Sequence, residues 1–334
     1  MAKKKDEKGE RSFEDILSSI EKDFGKNSLM QFGKTEQLDI ESVSTGSFML
    51  DRAVGVGGLP RGRITEIFGN ESSGKTTVCL SVVANAQKMK AGKVAYIDVE
   101  NALDPSYCKL LGVDIDNMYI SQPDCGEDAL TIVQRLTESK MFAVIVVDSV
   151  SALVPRAEIE GEIGDSHMAL QARLMSQSLR MLSKSVKTSN TCLIFINQVR
   201  MKIGVMFGSP TTTSGGNALK FYSSVRIKTA RTGNIKRKDE VIGSTIKAQI
   251  IKNKVAPPFK EAEFEIWYDR GINRNLELMN MAIEKGIIEK SGSWFACGEV
   301  KIGQGQDSVL DKMTEDKEFF EMLKNKVFPT EEVK

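Results

Sequence analysis

The feature that most constrains this chain is residues 69–77, Gly-Asn-Glu-Ser-Ser-Gly-Lys-Thr-Thr, which fit the phosphate-binding pattern G-x-x-x-x-G-K-[ST] without a mismatch. Gly69 and Gly74 can adopt backbone angles that other residues avoid, so successive N–H groups can turn inward around phosphates. Lys75 adds a positive charge, and Thr76 offers a hydroxyl to Mg²⁺. The segment therefore predicts a nucleotide site.

The residues on either side of this loop support the same interpretation. Residues 63–68 are typical of a buried strand, and residues 76–91 have the pattern of a helix. The N-terminal end of such a helix favours an anion. The alternative, a plain glycine turn between a strand and a helix, is disfavoured once these flanks are counted.

Composition excludes several other classes of protein. The 334 residues are 41% hydrophobic and 27% charged, as in ordinary globular proteins. No apolar run approaches the roughly 20 residues of a membrane span, so we expect a cytoplasmic protein with no membrane partner. The five cysteines form no C-x-x-C pair and there is one histidine, which disfavours disulfide frameworks and zinc sites. A net charge of only +1 means that nucleic-acid binding would need local basic patches.

Residues 37–272 alternate strand and helix patterns, which predicts an α/β fold with a mostly parallel twisted sheet and a P-loop ATPase core. The predicted strands are 63–68, 93–99, 143–148, 191–197, 223–229 and 245–252. The predicted helices are 76–90, 126–139 and 169–187. Ligands of such sheets gather at the C-terminal ends of the strands, so residues there are candidates for function.

Two smaller regions flank this core in the predicted domain organisation. Residues 1–36 would be an N-terminal helical arm and linker, with a helix capped by Ser12 and ending at Phe24 before Gly25. Its apolar stripe could dock on the core of the same chain or on a neighbouring subunit, and periodicity alone leaves both open. Residues 273–334 are predicted to form a small α+β C-terminal domain and a tail.

Three strand ends carry candidate catalytic residues. The apolar run 142–148 ends in Asp148, which has the form of a nucleotide motif whose carboxylate holds Mg²⁺. The next residue is a serine, so the general base must come from elsewhere, and Glu100 at the end of another strand is the candidate. A solvated strand-end carboxylate is the alternative for Glu100. Gln198 ends a third strand, where it could sense the γ-phosphate of a nucleotide.

Two polar segments differ from the strand and helix patterns around them. Residues 199–216 combine cations, apolar side chains and glycines, which suit the phosphates and bases of a single strand. Residues 158–168 form a second polar loop, before the helix that carries Arg173. Disordered surface loops are the alternative for both segments. A local excess of cations also points to phosphate, at Lys220, Arg226, Lys228, Arg231, Lys236, Arg237, Lys238, Lys247, Lys252 and Lys254.

With these residues in place, the chain closely resembles the bacterial RecA recombinases from about residue 12 to residue 328. The stretches that carry the resemblance are residues 69–77, 102–105, 146–149, 158–168, 195–198, 200–208 and 252–254. The resemblance implies an ATP- and Mg²⁺-dependent enzyme that polymerises on single-stranded DNA as a helical filament. Such an enzyme pairs the strand with homologous double-stranded DNA, exchanges strands in recombination and repair, and acts as an SOS coprotease on a LexA-type repressor.

The resemblance also assigns roles to individual residues around the nucleotide. The phosphate and Mg²⁺ contacts would be Gly69, Glu71, Ser72, Ser73, Gly74, Lys75, Thr76, Thr77 and Asp148. Glu100 would be the catalytic base, with Lys75 and Gln198 completing the catalytic set. Asp104 and Tyr107 resemble the adenine contacts.

Further assignments concern the neighbouring subunit and the DNA. Lys252 and Lys254 are similar to a pair that reaches the ATP of the next subunit, and the N-terminal helix would dock there too. The DNA contacts would be Met168, Arg173, Arg200, Met206, Phe207, Gly215 and Gly216.

The chain departs from the family pattern at three positions and at its end. Asn70 stands where a proline is common, Asn101 where a histidine often follows the base, and Thr211 where a glutamate is frequent. The long acidic tail of many relatives is missing or very short. A ring-forming helicase is the alternative function, and a scaffold that uses ATP only for assembly is disfavoured by Glu100, which has no role without hydrolysis.

Overall fold

The computed structural model describes residues 13–26, 28–29, 40–162, 169–201, 211–298 and 300–329. The strands are β1 (Ser42–Val43), β2 (Leu59–Pro60), β3 (Arg63–Gly69), β4 (Lys93–Asp98), β5 (Met118–Ser121), β6 (Phe142–Asp148), β7 (Cys192–Met201), β8 (Thr211–Thr213), β9 (Val225–Arg237), β10 (Glu240–Asn253), β11 (Glu261–Trp267), β12 (Gly271–Ile272), β13 (Glu289–Ser291), β14 (Trp294–Cys297) and β15 (Val300–Gln304). The helices are α1 (Phe13–Phe24), α2 (Phe48–Val54), α3 (Lys75–Lys88), α4 (Pro105–Leu110), α5 (Gly126–Glu138), α6 (Arg156–Ile159), α7 (Leu170–Ser189), α8 (Ala218–Tyr222), α9 (Arg274–Glu284), α10 (Gln306–Glu315) and α11 (Lys317–Val327).

The chain divides into two compact units, Met1–Ile40 and Glu41–Lys334. In the first unit, α1 ends at Phe24, and Gly25 follows with a φ of +93°, as the sequence predicted for the end of this helix. Its predicted cap, Ser12, lies outside the described residues. Within the part of the chain that the structure describes, no helix is both long enough and apolar enough to cross a membrane.

One large sheet organises the second unit. Its strand order is β12-β11-β10-β9-β3-β7-β6-β4-β5, with β8 paired to β7. The pairs from β5 through β9 are parallel, and the pairs from β9 to β12 are antiparallel. The predicted α/β fold with a mostly parallel core is therefore confirmed, and the phosphate-loop strand β3 lies near the centre of the sheet.

The structure differs from the predicted elements where local pattern was weak. β5 was missed because it has only four residues, of which Tyr119 and Ile120 are about half exposed. β9 and β10 are much longer than predicted and form a hairpin whose outer half is polar. Such strands lack the buried apolar run that marks the parallel strands.

Apolar residues cover both faces of the sheet. One cluster packs α3 and α2 against β3, β4 and the antiparallel strands, and the other packs α5 and α7 against β6 and β7. All five cysteines are free and buried in the structure. Burial on both faces explains why β6 and β7 are continuous apolar runs in the sequence.

The C-terminal region is a separate layer with its own core. α9, α10 and α11 pack beside the antiparallel sheet β13-β14-β15. Its core includes Leu278, Phe295 and Leu323, and also Phe48 from α2, which packs beside the large sheet. The Phe48 ring stacks on Phe328 with centroids 5.2 Å apart. The small α+β region is thereby joined to the rest of the unit through α2.

Two buried acids lie at this junction. Glu277 of α9 accepts a hydrogen bond from the backbone N–H of Met49 at 3.0 Å, and burial raises its pKa to about 7. Asp51 of α2 accepts hydrogen bonds from Ser44 and Thr45, and burial raises its pKa to about 6. Among the charged groups nearby, Arg274 lowers the pKa of Asp51, whereas Asp51 raises the pKa of Glu277. The Arg274 guanidinium lies 4.2 Å over the Phe48 ring. Folding therefore favours the protonated form of both acids.

This arrangement predicts a pH-dependent stability. The pKa of Glu277 is higher in the folded chain than its ordinary value of 4.5. The contribution of Glu277 to the free energy of unfolding is therefore fully present below about pH 4.5 and is lost as the pH rises through 7. Wild type should lose free energy of unfolding between pH 5 and pH 8. The neutral variant Glu277→Gln should lose less over the same range, by on the order of 1–3 kcal/mol. Glu263→Gln, at an exposed position of β11, is the control. Equal pH slopes for wild type and Glu277→Gln in denaturant unfolding would contradict this prediction.

Candidate nucleotide site and nucleic-acid interface

The phosphate loop is built between the end of β3 and the start of α3. Gly74 caps α3 with a φ of +81°, and a Cβ there would lie 2.5 Å from the Cδ1 atom of Ile266. A Cβ at Gly69 would lie 2.2 Å from the carbonyl oxygen of Thr229. Both positions therefore require glycine, for the backbone angle at Gly74 and for the close approach of β9 at Gly69.

Polar contacts hold the loop closed. The Ser73 hydroxyl donates to the carbonyl oxygen of Asn70 at 2.7 Å and lies 2.9 Å from the Thr229 hydroxyl. The ammonium of Lys75 donates to the same carbonyl at 2.7 Å. Burial lowers the pKa of Lys75, while the nearby carboxylates Asp148 and Glu100 act in the opposite direction. An anionic ligand in the loop would therefore replace the carbonyl oxygen as the partner of the Lys75 ammonium, because a charged acceptor binds an ammonium more strongly.

Asp148, at the end of β6, faces the first turn of α3. One of its oxygens accepts hydrogen bonds from the Thr76 hydroxyl at 3.2 Å and from the Tyr96 hydroxyl at 2.6 Å. Burial raises the pKa of Asp148, and both hydrogen bonds oppose that rise. Sequence reasoning missed Tyr96, although a tyrosine within a buried strand needs a partner for its hydroxyl.

Thr76 and Asp148 fit a magnesium ion. A hydroxyl and a carboxylate are hard oxygen ligands, and Mg²⁺ is usually held by one or two carboxylates together with substrate phosphates and water. Among the described residues, no group of three or more His, Cys, Asp or Glu side chains could hold a metal ion. The donor set therefore suits an ion that arrives with a nucleotide.

Glu100 and Gln198 meet at the same edge of the sheet. The Gln198 side-chain amide donates to Glu100 Oε1 at 3.1 Å, and the Ser149 hydroxyl donates to the same oxygen. Asp98, two residues before Glu100, is instead buried and accepts from the backbone N–H groups of Ala102 and Leu103. The exposed Glu100 is the carboxylate that can reach a ligand, whereas Asp98 shapes the turn.

The two predicted adenine contacts lie on α4. Asp104 caps this helix by accepting from Ser106 N at 2.8 Å and is exposed. The Tyr107 hydroxyl lies 2.8 Å from the Thr77 hydroxyl in α3, and burial raises the pKa of Tyr107. Tyr107 is therefore brought beside the phosphate loop.

Lys252, in β10, and Lys254, just after its end, lie elsewhere. In the sheet register Lys252 is opposite Arg226, which is opposite Glu66, three residues before the phosphate loop begins. The Lys252 ammonium donates to the carbonyl oxygens of Lys220 and Phe221, and burial lowers its pKa. Lys254 is exposed. Lys252 and Lys254 thus lie away from the edge of the sheet at which the phosphate loop of their own chain begins.

The segment predicted as one long loop, residues 199–216, is a hairpin at its base. β7 continues to Met201, and β8 pairs with it antiparallel, with Arg200 opposite Thr212. The loop prediction was wrong there because β-branched threonines can pair as a strand even when glycines surround them. Arg200 is exposed and donates from Nε to the Ser214 hydroxyl at 2.7 Å. Met206, Phe207 and, in the other loop, Met168 lie outside the described residues.

Gln171 joins the bases of the two predicted DNA loops. Its side-chain oxygen accepts from Gly215 N at 3.1 Å, and its amide donates to the carbonyl oxygens of Val150 and Leu153. Gly215 and Gly216 have φ values of +79° and +74°, and Arg173 is exposed one turn into α7. Sequence reasoning missed Gln171, because nothing local to α7 marks its partner 44 residues away.

The fold and these side chains together define a P-loop ATPase with a hairpin that extends from the edge where Gln198 meets Glu100. A family model described as the RecA N-terminal domain matches residues 11–273, and one described as the RecA C-terminal domain matches residues 276–330. The chain belongs to the RecA family, and it is a DNA-dependent ATPase and recombinase of DNA repair.

Several known proteins are similar over nearly the whole chain. Protein RecA of Laribacter hongkongensis is 56% identical over 312 residues, covering 93% of this chain and 88% of the relative. Protein RecA of Legionella pneumophila strain Corby is 56% identical over 305 residues, covering 91% and 87%. Protein RecA of Rickettsia canadensis is 56% identical over 306 residues, covering 92% and 89%. These matches favour the recombinase over the helicase alternative.

The geometry of Lys75 predicts the effect of removing it. Lys75→Ala should abolish productive nucleotide binding, because the ammonium is the point charge that the loop itself offers to β- and γ-phosphates. Titration with a fluorescent ATP analogue and steady-state hydrolysis would measure the loss, with Lys88→Ala at the far end of α3 as the control. Unchanged affinity and turnover in Lys75→Ala would contradict the assignment.

Proposed function

We propose that this protein uses ATP with Mg²⁺ to form a filament on single-stranded DNA, which it pairs with homologous duplex DNA for strand exchange. The observation that carries the proposal is the position of Gln198. Its side chain contacts Glu100 at the nucleotide edge, and its backbone continues within three residues into the hairpin at the base of the DNA loop. One strand therefore connects hydrolysis to DNA binding.

In the proposed reaction, Glu100 accepts a proton from the attacking water. Ser149 and Gln198 orient the Glu100 carboxylate through their hydrogen bonds. Lys75 stabilises negative charge that develops on the transferred phosphoryl group. Mg²⁺, held by Thr76 and Asp148, would neutralise phosphate charge when bound. Asp104 and Tyr107 would contact the adenine base.

The proposed DNA surface combines charge with apolar side chains. Arg173 and Arg200 are exposed, which suits the phosphates of a single strand, and Gly215 and Gly216 directly follow Ser214, the partner of Arg200. Met206 and Phe207 would act as apolar wedges between bases, a role that charge cannot fill. The basic β9–β10 hairpin offers a second region of positive charge for duplex DNA.

Assembly would follow from surfaces outside the nucleotide edge. Lys252 and Lys254 are proposed to reach the nucleotide of the next subunit, since they lie away from the phosphate loop of their own chain. We assign residues 1–36 to docking on that neighbour, 37–272 to the ATPase core and 273–334 to the C-terminal domain. Cleavage of a LexA-type repressor and a cytoplasmic location stay predictions.

The most informative test of this function combines two assays. ATP hydrolysis should rise on addition of single-stranded DNA, and the same preparation should exchange strands between a circular single strand and a homologous linear duplex. A helicase would instead unwind a duplex without homology, and electron micrographs would show closed rings rather than open filaments. Absence of both DNA-stimulated hydrolysis and strand exchange would overturn the proposal.

Glu100→Gln separates binding from hydrolysis. The amide cannot take up the proton of water, so turnover should fall by about 100-fold or more while nucleotide binding and filaments persist. The control is Glu138→Gln, because Glu138 is exposed at the end of α5. Asp98→Asn is unsuitable as a control, because Asp98 accepts the hydrogen bond that shapes the turn after β4. Normal hydrolysis by Glu100→Gln would place the base elsewhere.

Arg200→Ala tests the DNA surface through salt. If Arg200 neutralises one phosphate, its removal should lower affinity for single strands and reduce the salt slope by about one phosphate contact. Phe207→Ala should weaken strand exchange more than it changes the salt slope. Fluorescence anisotropy of a labelled oligonucleotide at several salt concentrations measures both. A wild-type slope in Arg200→Ala would rule out a phosphate contact at this position.

A further inference from the structure

A buried polar network lies directly below the phosphate loop. Glu66 in β3 is completely buried, and its carboxylate accepts from Arg226 Nε of β9 at 2.5 Å and from the Asn197 side-chain amide of β7 at 2.9 Å. The Arg226 guanidinium also lies 4.7 Å over the ring of Phe68. A buried ion pair is weak evidence for stability, because desolvation opposes the attraction. The network therefore suggests a role beyond stability.

Asn197 uses both ends of its amide. Its Nδ2 donates to Glu66 and to the carbonyl oxygen of Ser214 at 3.1 Å, while its Oδ1 accepts from Gln198 N at 2.9 Å. The orientation of the amide is unambiguous, since a carboxylate and a carbonyl can only accept. One fully buried side chain thus holds together β3, the backbone of Gln198 and the return of the hairpin.

Ser214 also contacts Arg200, which is proposed to bind DNA. Its hydroxyl accepts from Arg200 Nε at 2.7 Å, and it directly precedes the two glycines with positive φ. The two ends of the Asn197 amide rotate together about the Cβ–Cγ bond, so a flip of the amide would break both the bond to Ser214 and the bond to Gln198. The geometry thus couples the two ends of the hairpin base through one rotamer.

We propose that Glu66 and Asn197 are positioning residues that carry the nucleotide state of Gln198 to the DNA-binding hairpin. Glu66 fixes the rotamer of Asn197, and Asn197 holds the Gln198 backbone and Ser214 at a set distance. This inference rests on the proposed function and deepens it, because it names how the γ-phosphate edge and the hairpin move together. Neither residue is among the predicted nucleotide contacts.

A double-variant design separates this role from a purely structural one. Asn197→Asp places two carboxylates together and removes both donor bonds. In the double variant Glu66→Gln with Asn197→Asp, the glutamine amide can donate to the aspartate carboxylate. The aspartate still accepts from Gln198 N. The network again holds one negative charge to balance Arg226, as in wild type. The aspartate has no proton to donate to Ser214. The double variant therefore repairs the buried network but not the link to the hairpin.

The measurements are the melting temperature and the ratio of affinities for a deoxythymidine oligonucleotide with a non-hydrolysable ATP analogue and with ADP. Asn197→Asp should lower both quantities. The double variant should regain most of the melting temperature while its affinity ratio stays roughly tenfold below that of wild type. Ile194→Val, in the core of β7, should lower the melting temperature and keep the wild-type ratio.

Recovery of the ratio together with the melting temperature in the double variant would overturn the inference, as would a wild-type ratio in Asn197→Asp. If wild-type protein itself binds the oligonucleotide equally with both nucleotides, the proposed function fails and the inference fails with it. The two failures are therefore distinguished by the wild-type measurement.

Discussion

The parallel pairing of β3 with β7 is the constraint on which the rest of the site depends. It places Gly69, the first residue of the phosphate loop, opposite Gln198 in the sheet register. The neighbouring pairing of β4 with β6 places Asp98 opposite Asp148. Because all these strands are parallel, their carboxyl ends share one edge, and the residues proposed to bind phosphate, hold the metal and catalyse hydrolysis meet there. Glu100 completes the edge, one short turn after β4.

The same pairing makes this edge continuous with the hairpin that is proposed to bind DNA. β7 does not stop at the edge but runs on to Met201 and pairs with β8. Gln171 ties the return of this hairpin to α7 and to the segment after β6. In the proposed function, a change at the nucleotide would therefore reach the bases of both loops through direct contacts, without a long chain of side chains.

Much of this arrangement was predictable from the sequence, for physical reasons. The parallel strands are buried on both faces, so their apolar runs are visible, and the glycine spacing around Lys75 suits few local structures besides a phosphate loop. The placement of Asp148 and Glu100 near that loop followed from topology alone. Contacts between distant segments were not predictable: Tyr96 beside Asp148 and Gln171 beside Gly215 depend on packing across the sheet and have no local pattern.

The sequence pattern also failed to predict strands that are mostly polar. The base of the hairpin after Gln198 and the outer half of β9 and β10 bury few apolar residues, so neither period nor composition marks them as strands. The buried carboxylate of Glu66 gave no signal, because a single glutamate in an apolar strand resembles an outward-facing residue. Three-dimensional contacts with Arg226 and Asn197 were needed to identify it.

The most direct test of the central claim, that the end of β7 links the nucleotide to DNA binding, is a measurement on Gln198→Ala. Single-strand affinity is determined with ADP and with a non-hydrolysable ATP analogue, for the variant and for wild type. We expect the variant to bind both nucleotides nearly as wild type does, yet to lose most of the gain in DNA affinity that the analogue gives. The full wild-type gain in Gln198→Ala would contradict the account.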